Sequence, residues 1–176
     1  AGPALVPVAD PEAAAQCHRA GAGAWVRLAL GHHLDPRWGS PADVEGRVVR
    51  LSDGRFHYRG GIWNGVQGDM GPSAVLAIGG VQALVTTHAT YDWLDEQYLA
   101  VELDPTKAQF VVVKNPMNYR LAYGDVAKAV FLLDTPGPTP ASYRSARHRR
   151  LPRPYFPLDQ DIPGLQPTIL TSRRHR

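Results

Sequence analysis

The first part of the chain changes from a helical to a strand-like spacing of apolar residues. Asp10-Pro11-Glu12 has the composition of a helix start, with a capping carboxylate, a proline in the first turn and an acid at the positive end of the helix dipole. Gly21 can end this helix. Residues 24–30 (AWVRLAL) then alternate valine and leucine with tryptophan, arginine and alanine. The pattern predicts a short helix almost at the start of the chain, followed by a strand with one buried face.

Two β-hairpins are predicted after this strand. Residues 44–58 alternate around Ser52-Asp53-Gly54, and Asp-Gly between apolar runs is a strong hairpin signal. Residues 68–88 place Gly79-Gly80 between two apolar runs, which predicts a second hairpin whose strands are largely buried.

Helical and strand-like segments alternate in the second half. Residues 92–103 have the pattern of a short helix, 109–114 of a strand, 123–128 of a short helical stretch and 129–138 of a buried strand ended by proline and glycine. The chain is therefore predicted to have an α/β (mixed α+β) fold. Its mixed sheet would be built from two N-terminal β-hairpins and later strand-helix-strand units in a single domain.

Length and charge indicate a domain with a basic tail. The 176 residues fit one sizeable core, which we assign to residues 1–140. Residues 141–176 hold eight arginines against two aspartates and many prolines, so we expect a C-terminal arm that is partly extended or disordered. Arginine clusters could neutralise phosphates, but no nucleic-acid-binding motif accompanies them, so no nucleic-acid partner is expected.

Cysteine content and hydropathy bear on location. The single cysteine, Cys17, cannot form an internal disulfide, so a reduced cytoplasm is the expected compartment. No apolar run approaches the ~20 residues needed to cross a bilayer, and no membrane partner is expected. The chain begins without methionine, as if it started inside a larger fold.

Two histidine segments could carry chemistry. His32, His33 and Asp35 are residue types that zinc accepts, but adjacent histidines on a strand point to opposite faces. Only an irregular loop, which the following Pro36 and Pro41 would allow, could let them share a metal, and no metal site is predicted in this chain. His88 ends an apolar run with Asp92 nearby. It could act as a general base or a substrate clamp, or it could simply cap the strand.

The segment from Lys114 to Arg120 is the other candidate site. It follows a predicted strand, and ligands of open α/β sheets bind beyond the carboxyl ends of the strands. Lys114, Asn118 and Arg120 would present positive charge and hydrogen-bond donors to an anionic or carbonyl-bearing group. Pro116 would force an irregular turn there. The alternative is an ordinary solvated loop.

Several segments in this order resemble the C-terminal region of the MlrC-type metallopeptidases, a family named for breaking down linear microcystin peptides. The resemblance covers residues 10 to 160 approximately. It is carried by DPEAAAQCHRAGAGAWVRLALG, GRVVRLSDGRF, GDMGPSAVLAIGGVQALVTT, LDPTKAQFVVVKNPMNYR, VFLLDTPG and LPRPYFPLD.

The resemblance implies an N-terminal α/β domain outside this chain that carries the catalytic zinc on an aspartate and histidines. This chain would then hold no cofactor itself. Where the family usually reads Lys-Ser-x-x-His-Phe-Arg, this chain keeps Lys114 and Arg120 but has Asn118 in place of the histidine. An asparagine cannot transfer a proton near neutral pH. His88 lies where the family tends to place arginines.

The resemblance leads to two hypotheses. The first is the C-terminal domain of an MlrC-like zinc metallopeptidase that shapes the cleft for a peptide substrate, with the N-terminal metallopeptidase domain as its partner. Its candidate substrate-binding residues are Lys114, Asn118, Arg120 and His88, and the chain alone would be inactive. The alternative is a stand-alone, non-catalytic binding module derived from that family. The upstream reading frame discriminates between them, because only the first requires metal ligands encoded there.

Overall fold

Eight strands and three α-helices lie in the first of two compact units of the chain, residues 1–131 and 132–176. The computed structural model describes residues 2–139, 142, 149–164 and 168–170. The elements in chain order are β1 (Ala4–Ala9), α1 (Pro11–Ala20), β2 (Trp25–Leu30), β3 (Ala42–Ser52), β4 (Arg55–His57), β5 (Gln67–Asp69), β6 (Ser73–Ile78), β7 (Val81–Thr86), α2 (Glu96–Leu99), β8 (Phe110–Val111) and α3 (Tyr119–Tyr123).

Six of the strands form one mixed sheet. Its order is β2-β3-β6-β7-β1-β8, and β4 and β5 form a separate two-stranded sheet. β1 pairs in parallel with both β7 and β8, whereas the other pairs are antiparallel. The predicted fold class, mixed α/β with a mixed sheet, is confirmed.

Helix α1 has the predicted ends. The Asp10 carboxylate accepts a hydrogen bond from the Ala13 N–H at 3.0 Å, and Gly21, with φ of 87°, donates its N–H to the Cys17 carbonyl. Ala13, Ala14 and Cys17 are fully buried against the large sheet. Small side chains on this face let the helix approach the strands closely.

Strand β1 was not predicted; Pro7 lies within it, and proline removes a ladder hydrogen bond. The structure shows why this proline is tolerated. The Pro3 and Leu5 carbonyls accept hydrogen bonds on the side of β1 that faces β8. Because the backbone groups of every second residue point to the same side of a strand, the backbone nitrogen of Pro7 also lies on the β8 side. The pairing with β8 ends at Leu5, and no N–H is required of Pro7.

The first predicted hairpin is wrong, because β3 and β4 do not pair. β3 pairs with β6, and β4 pairs with β5, so together they form one long antiparallel arm whose tip is residues 58–66. Ser52-Asp53-Gly54 is a bend in this arm. Gly54 has φ of 78°, and a Cβ there would lie 2.0 Å from the Gly71 carbonyl oxygen, so the close crossing of the two strands requires glycine.

The second predicted hairpin is confirmed, since β6 and β7 pair around Gly79-Gly80. Their side chains alternate between two cores, one on each face of the large sheet. The α1 face buries Ala13, Ala14, Cys17, Leu28, Val48, Ala74, Leu76, Ala83 and Val85. The other face buries Leu5, Phe56, Tyr58, Met70, Val75, Leu84, Tyr98, Val101 and Leu103.

The second half is less regular than predicted. The helix predicted over 92–103 is limited to α2, the strand over 109–114 is only the two residues of β8, and the helical stretch over 123–128 occurs instead as α3. The buried strand predicted over 129–138 is wrong. No strand forms there, and Phe131 is 73% exposed, because no partner strand of the described residues lies beside it.

In the second unit, described residues 132–139, 142, 149–164 and 168–170 contain no helix or strand. The arm predicted over residues 141–176 falls partly on residues 141, 143–148, 165–167 and 171–176, which lie outside the described residues, and its extended or disordered character stays a prediction. The division at residue 140 stays a prediction. Among the described residues, no helix is both long and apolar enough to cross a membrane.

Candidate functional site

The parallel strands bring three polar segments to one edge of the large sheet. β7, β1 and β8 run in the same direction, so their carboxyl ends meet there. His88 follows β7, Asp10 follows β1 and Lys114 follows β8. This is the edge at which open α/β sheets bind ligands.

Asp92 and Asn115 fix the turn after β8. The buried Asp92 carboxylate accepts a hydrogen bond from the Lys114 N–H at 3.0 Å, and the Asp92 carbonyl accepts one from the Asn115 side-chain amide at 2.7 Å. The Asn115 side-chain oxygen in turn accepts from the N–H groups of Met117 and Asn118. The turn is therefore held by tertiary hydrogen bonds as well as by Pro116. Sequence analysis missed Asn115, although an asparagine after a strand is a known turn signal.

The ionisation of Asp92 and Lys114 is perturbed. Burial raises the pKa of Asp92 to about 6, and the charge of Glu96 adds to this increase. The hydrogen bond from the Lys114 N–H and the charge of the Lys114 ammonium act in the opposite direction but are weaker. Desolvation lowers the pKa of Lys114 more than attraction to Asp92 raises it. Lys114 nevertheless keeps an exposed side chain. It is thus a surface donor beside a buried carboxyl group, which is typical of functional sites.

Tyr91 joins Asn118 to the core. The Asn118 side-chain amide donates a hydrogen bond to the Tyr91 hydroxyl at 2.7 Å. The Tyr91 carbonyl accepts from the Tyr58 hydroxyl at 2.8 Å and from the Gln97 amide at 3.0 Å. The position of Tyr91 is therefore fixed from two sides, and Asn118 is oriented through it.

Tyr123 lies under this turn with its phenol group buried. Its hydroxyl has no hydrogen-bond partner within the described part of the chain. Burial raises its pKa, and the charges of Asp92, Asp95 and Glu96 raise it further. A buried hydroxyl without a protein partner is rare, and it marks this region as one that a polar group could complete.

The other two predicted site residues, Arg120 and His88, make different contacts. Arg120 is exposed, and its guanidinium donates a hydrogen bond to the Tyr119 hydroxyl at 3.0 Å. His88 is exposed, and its ring lies close to Gly71, where a Cβ would come within 3.0 Å of it. No hydrogen bond or ion pair within the described part of the chain joins either side chain to Lys114 or Asn118. Lys114 and Asn118 are thus each joined to the segment Tyr91-Asp92 by a hydrogen bond, whereas no such bond within the described residues joins Arg120 or His88 to it.

A second polar cluster ties the β2–β3 loop to the start of α1. The carboxylate of Asp10, which exposes no surface, accepts from the Gly31 N–H at 2.8 Å and interacts with His33 Nδ1 at 2.7 Å. Burial by itself raises the pKa of Asp10, but hydrogen bonds from Ala13, His33 and Gly31 outweigh it and leave the pKa below its ordinary value. The hydrogen bond to Asp10 raises the pKa of His33.

These residues do not fit a zinc ion. His33 Nδ1 faces Asp10 while its Nε2 lies 3.9 Å from Glu12, so the two ring nitrogens address different carboxylates and the three groups do not converge on one point. No group of three or more histidine, cysteine, aspartate or glutamate side chains in the described residues could hold a metal ion. A structural zinc site requires about four such ligands.

With a mixed sheet and a polar cluster at the carboxyl ends of its parallel strands, the chain is an α/β protein, the class in which ligands commonly bind at such an edge. Residues 1–150 match the model of the MlrC C-terminus family, and the chain belongs to this family.

Two similar proteins are much longer than this chain. Microcystinase C from Sphingomonas sp. is 23% identical over 157 residues, which are 87% of this chain and 29% of that protein. The crystal structure of a candidate metallopeptidase from Mesorhizobium sp. BNC1 is 32% identical, with a TM-score of 0.75 over 90% of this chain and 31% of the other. The chain therefore spans less than a third of each relative.

Proposed function

We propose that this chain is the C-terminal domain of an MlrC-like zinc metallopeptidase, in which it shapes the cleft for a peptide substrate. The observation that carries the proposal is the cluster of Lys114, Asn118, Asp92 and Tyr91 at the ligand-binding edge of the sheet. Membership of the family supports the assignment to a hydrolase. We assign zinc and hydrolysis to a domain outside this chain, because the similar proteins extend far beyond the region that this chain matches.

Exposed apolar residues support a partner domain. Met117 is 77% exposed, Leu121 is 61% exposed, and Val130 and Phe131 are also more than half exposed. Apolar residues this close together along a chain are typical of a surface that another domain covers. The relatives contain more than twice as much additional chain as this domain provides, which is enough for such a partner.

Lys114 and Asn118 would orient the substrate. The ammonium of Lys114 and the amide of Asn118 can form hydrogen bonds to a peptide carboxylate or carbonyl, and a charge-assisted bond of this kind holds the substrate in the reactive geometry. Asn118 takes no part in proton transfer. The roles of Arg120 and His88 in binding stay predictions, as does the cytoplasmic location.

The test is made in the complete protein, with this domain joined to the rest of the family polypeptide. Lys114→Gln should lower kcat/KM for peptide hydrolysis by roughly 10- to 100-fold, the range expected when a hydrogen bond to a charged group is lost. Lys107→Gln is the matched control, because Lys107 is an exposed lysine that pairs with Asp104. Equal activity of the two variants, with both folded, would contradict the proposal.

A further inference from the structure

Five aromatic rings form a continuous row from the core to the surface. Successive ring centroids of Phe56, Tyr58, Trp63, Tyr91 and Trp93 are 4.9, 5.5, 5.6 and 6.1 Å apart. Phe56 and Tyr58 are buried, Trp63 and Trp93 are partly exposed, and Tyr91 is 36% exposed. We call this set the aromatic row. The rings at its outer end are accessible to solvent, and the rings of the row have the separation that aromatic pairs prefer.

The outer end of the row is rigidly held. Trp93 lies against Gly61, where φ is 58° and a Cβ would come within 2.7 Å of the indole ring. Glycine is therefore required for both the backbone conformation and the contact. The carbonyl of Tyr91 is held by the two side-chain hydrogen bonds from Tyr58 and Gln97. Rings fixed in this way lose little conformational entropy when they bind a ligand.

The row runs directly into the polar cluster. The Tyr91 hydroxyl accepts the hydrogen bond from Asn118, and the next residue, Asp92, accepts the one from the Lys114 N–H. Ile62, beside Trp63 in the chain, is 86% exposed and adds apolar surface at the same end. Through Tyr91 and Asp92, the aromatic row is thus connected to the turn that carries the Lys114 ammonium, and this combination fits an amphipathic anionic ligand.

We propose that the exposed surface of Trp63 and Tyr91 binds an aromatic side chain at the carboxyl-terminal end of a peptide, with the terminal carboxylate held by Lys114. This specificity rests on the proposed function, since it assigns the substrate class to the same cluster. The ring contributes stacking and burial of apolar area, and Lys114 contributes a charge-assisted hydrogen bond.

The test is direct binding of three small peptides to the 176-residue chain, followed by NMR. The chain has four tryptophans, so four indole N–H signals report on different places. N-acetyl-glycyl-phenylalanine should shift the Trp63 and Trp93 signals and leave Trp25 and Trp38 unchanged. N-acetyl-glycyl-alanine should bind at least about tenfold more weakly, because it offers no ring to stack.

The carboxylate is tested with the amide of the phenylalanine peptide. It should bind about tenfold more weakly to the unaltered chain, and Lys114→Gln should abolish the difference. Trp63→Leu should reduce the preference for phenylalanine over alanine, whereas Trp38→Leu should not. Trp38 is a matched control, because it is 38% exposed but lies in another loop.

Equal binding of the phenylalanine and alanine peptides, shifts confined to Trp25 or Trp38, or no binding at millimolar concentrations would each overturn the aromatic site. If binding fails but Lys114→Gln still lowers kcat/KM in the complete protein, only the aromatic assignment fails. If the peptides bind as expected but Lys114→Gln has no effect on turnover, the proposed function fails and the aromatic site stands.

Discussion

Three Asp-Pro pairs allow the effect of burial on a helix cap to be isolated. Asp10 caps α1, Asp35 caps the turn Pro36–Trp38, and Asp104 caps the turn Pro105–Lys107. Each carboxylate accepts a backbone N–H of the helical turn that follows. Asp10 is buried, whereas the side chains of Asp35 and Asp104 are 31% and 37% exposed.

Replacing Asp10 with alanine should be far more destabilising than the same change at the other two positions. Loss of the cap costs about 1 kcal/mol. The Gly31 N–H and His33 lose their acceptor as well, in a place that water does not reach, and an unsatisfied buried group costs about 1–3 kcal/mol. The free energy of unfolding should fall by about 3 kcal/mol in total, which corresponds to roughly 10 °C in Tm for a chain of this length. At Asp35 and Asp104, water can form the hydrogen bonds of the missing carboxylate, because both side chains are partly exposed.

Urea denaturation of the three Asp→Ala variants, followed by circular dichroism, measures the effect. The pH adds a second criterion. Because the pKa of His33 is raised above 6.5, its stabilising ion pair is present below 6.5 and is lost as the pH rises through the folded-state pKa. Because the pKa of Asp10 is lowered below 3.8, the stabilisation by its ionised carboxylate is present above pH 3.8 and is lost as the pH falls through the folded-state pKa. The decrease in the free energy of unfolding caused by Asp10→Ala should therefore be largest between pH 3.8 and pH 6.5. Similar losses in all three variants would refute the reasoning.

Three further predictions concern the candidate site and zinc. Asp92→Asn should stabilise the fold at neutral pH by about 1 kcal/mol, because a buried carboxyl whose pKa is raised from 3.8 to about 6 opposes folding once it ionises. Thermal unfolding of the unaltered chain should therefore show a decline in stability as the pH rises from 3.8 to about 6, and the variant should lack this decline. If the decline persists, another group causes it. Asn115→Ala should lower the free energy of unfolding by about 2 kcal/mol and Asn118→Ala by less, since Asn115 is buried with three hydrogen bonds; equal losses in urea denaturation would contradict this. The isolated chain should retain no stoichiometric zinc after dialysis and hydrolyse no peptide, and one zinc per chain that is lost on His33→Ala would overturn this.

Local chemistry was sufficient to predict some elements. The cap and proline at the start of α1 and Gly21 at its end act within a few residues, so the helix could be located from sequence. The β6–β7 hairpin was predictable for the same reason, because its glycine turn joins strands that are adjacent in the chain. Lys114 and Asn118 could be chosen as candidates because charged and polar residues after a strand are unusual in a core.

Other features depend on contacts between distant residues. Ser52-Asp53-Gly54 has the composition of a hairpin turn, but only the approach of Gly71 and the pairing of β3 with β6 make it a bend. Strand β1 becomes possible because Pro7 faces a side on which no hydrogen bond is needed.

The sequence by itself determined helix α1, the β6–β7 hairpin, the family resemblance and the presence of a basic, polar segment after β8. The tertiary structure decided what surrounds that segment. Asp92 lies 22 residues before Lys114, and Tyr91 lies 27 residues before Asn118, yet hydrogen bonds join both pairs. Such pairs leave no periodic signal in the sequence, because their spacing is set by the path of the whole chain. Burial, which shifts the pKa of Asp92, exists only once the fold has formed.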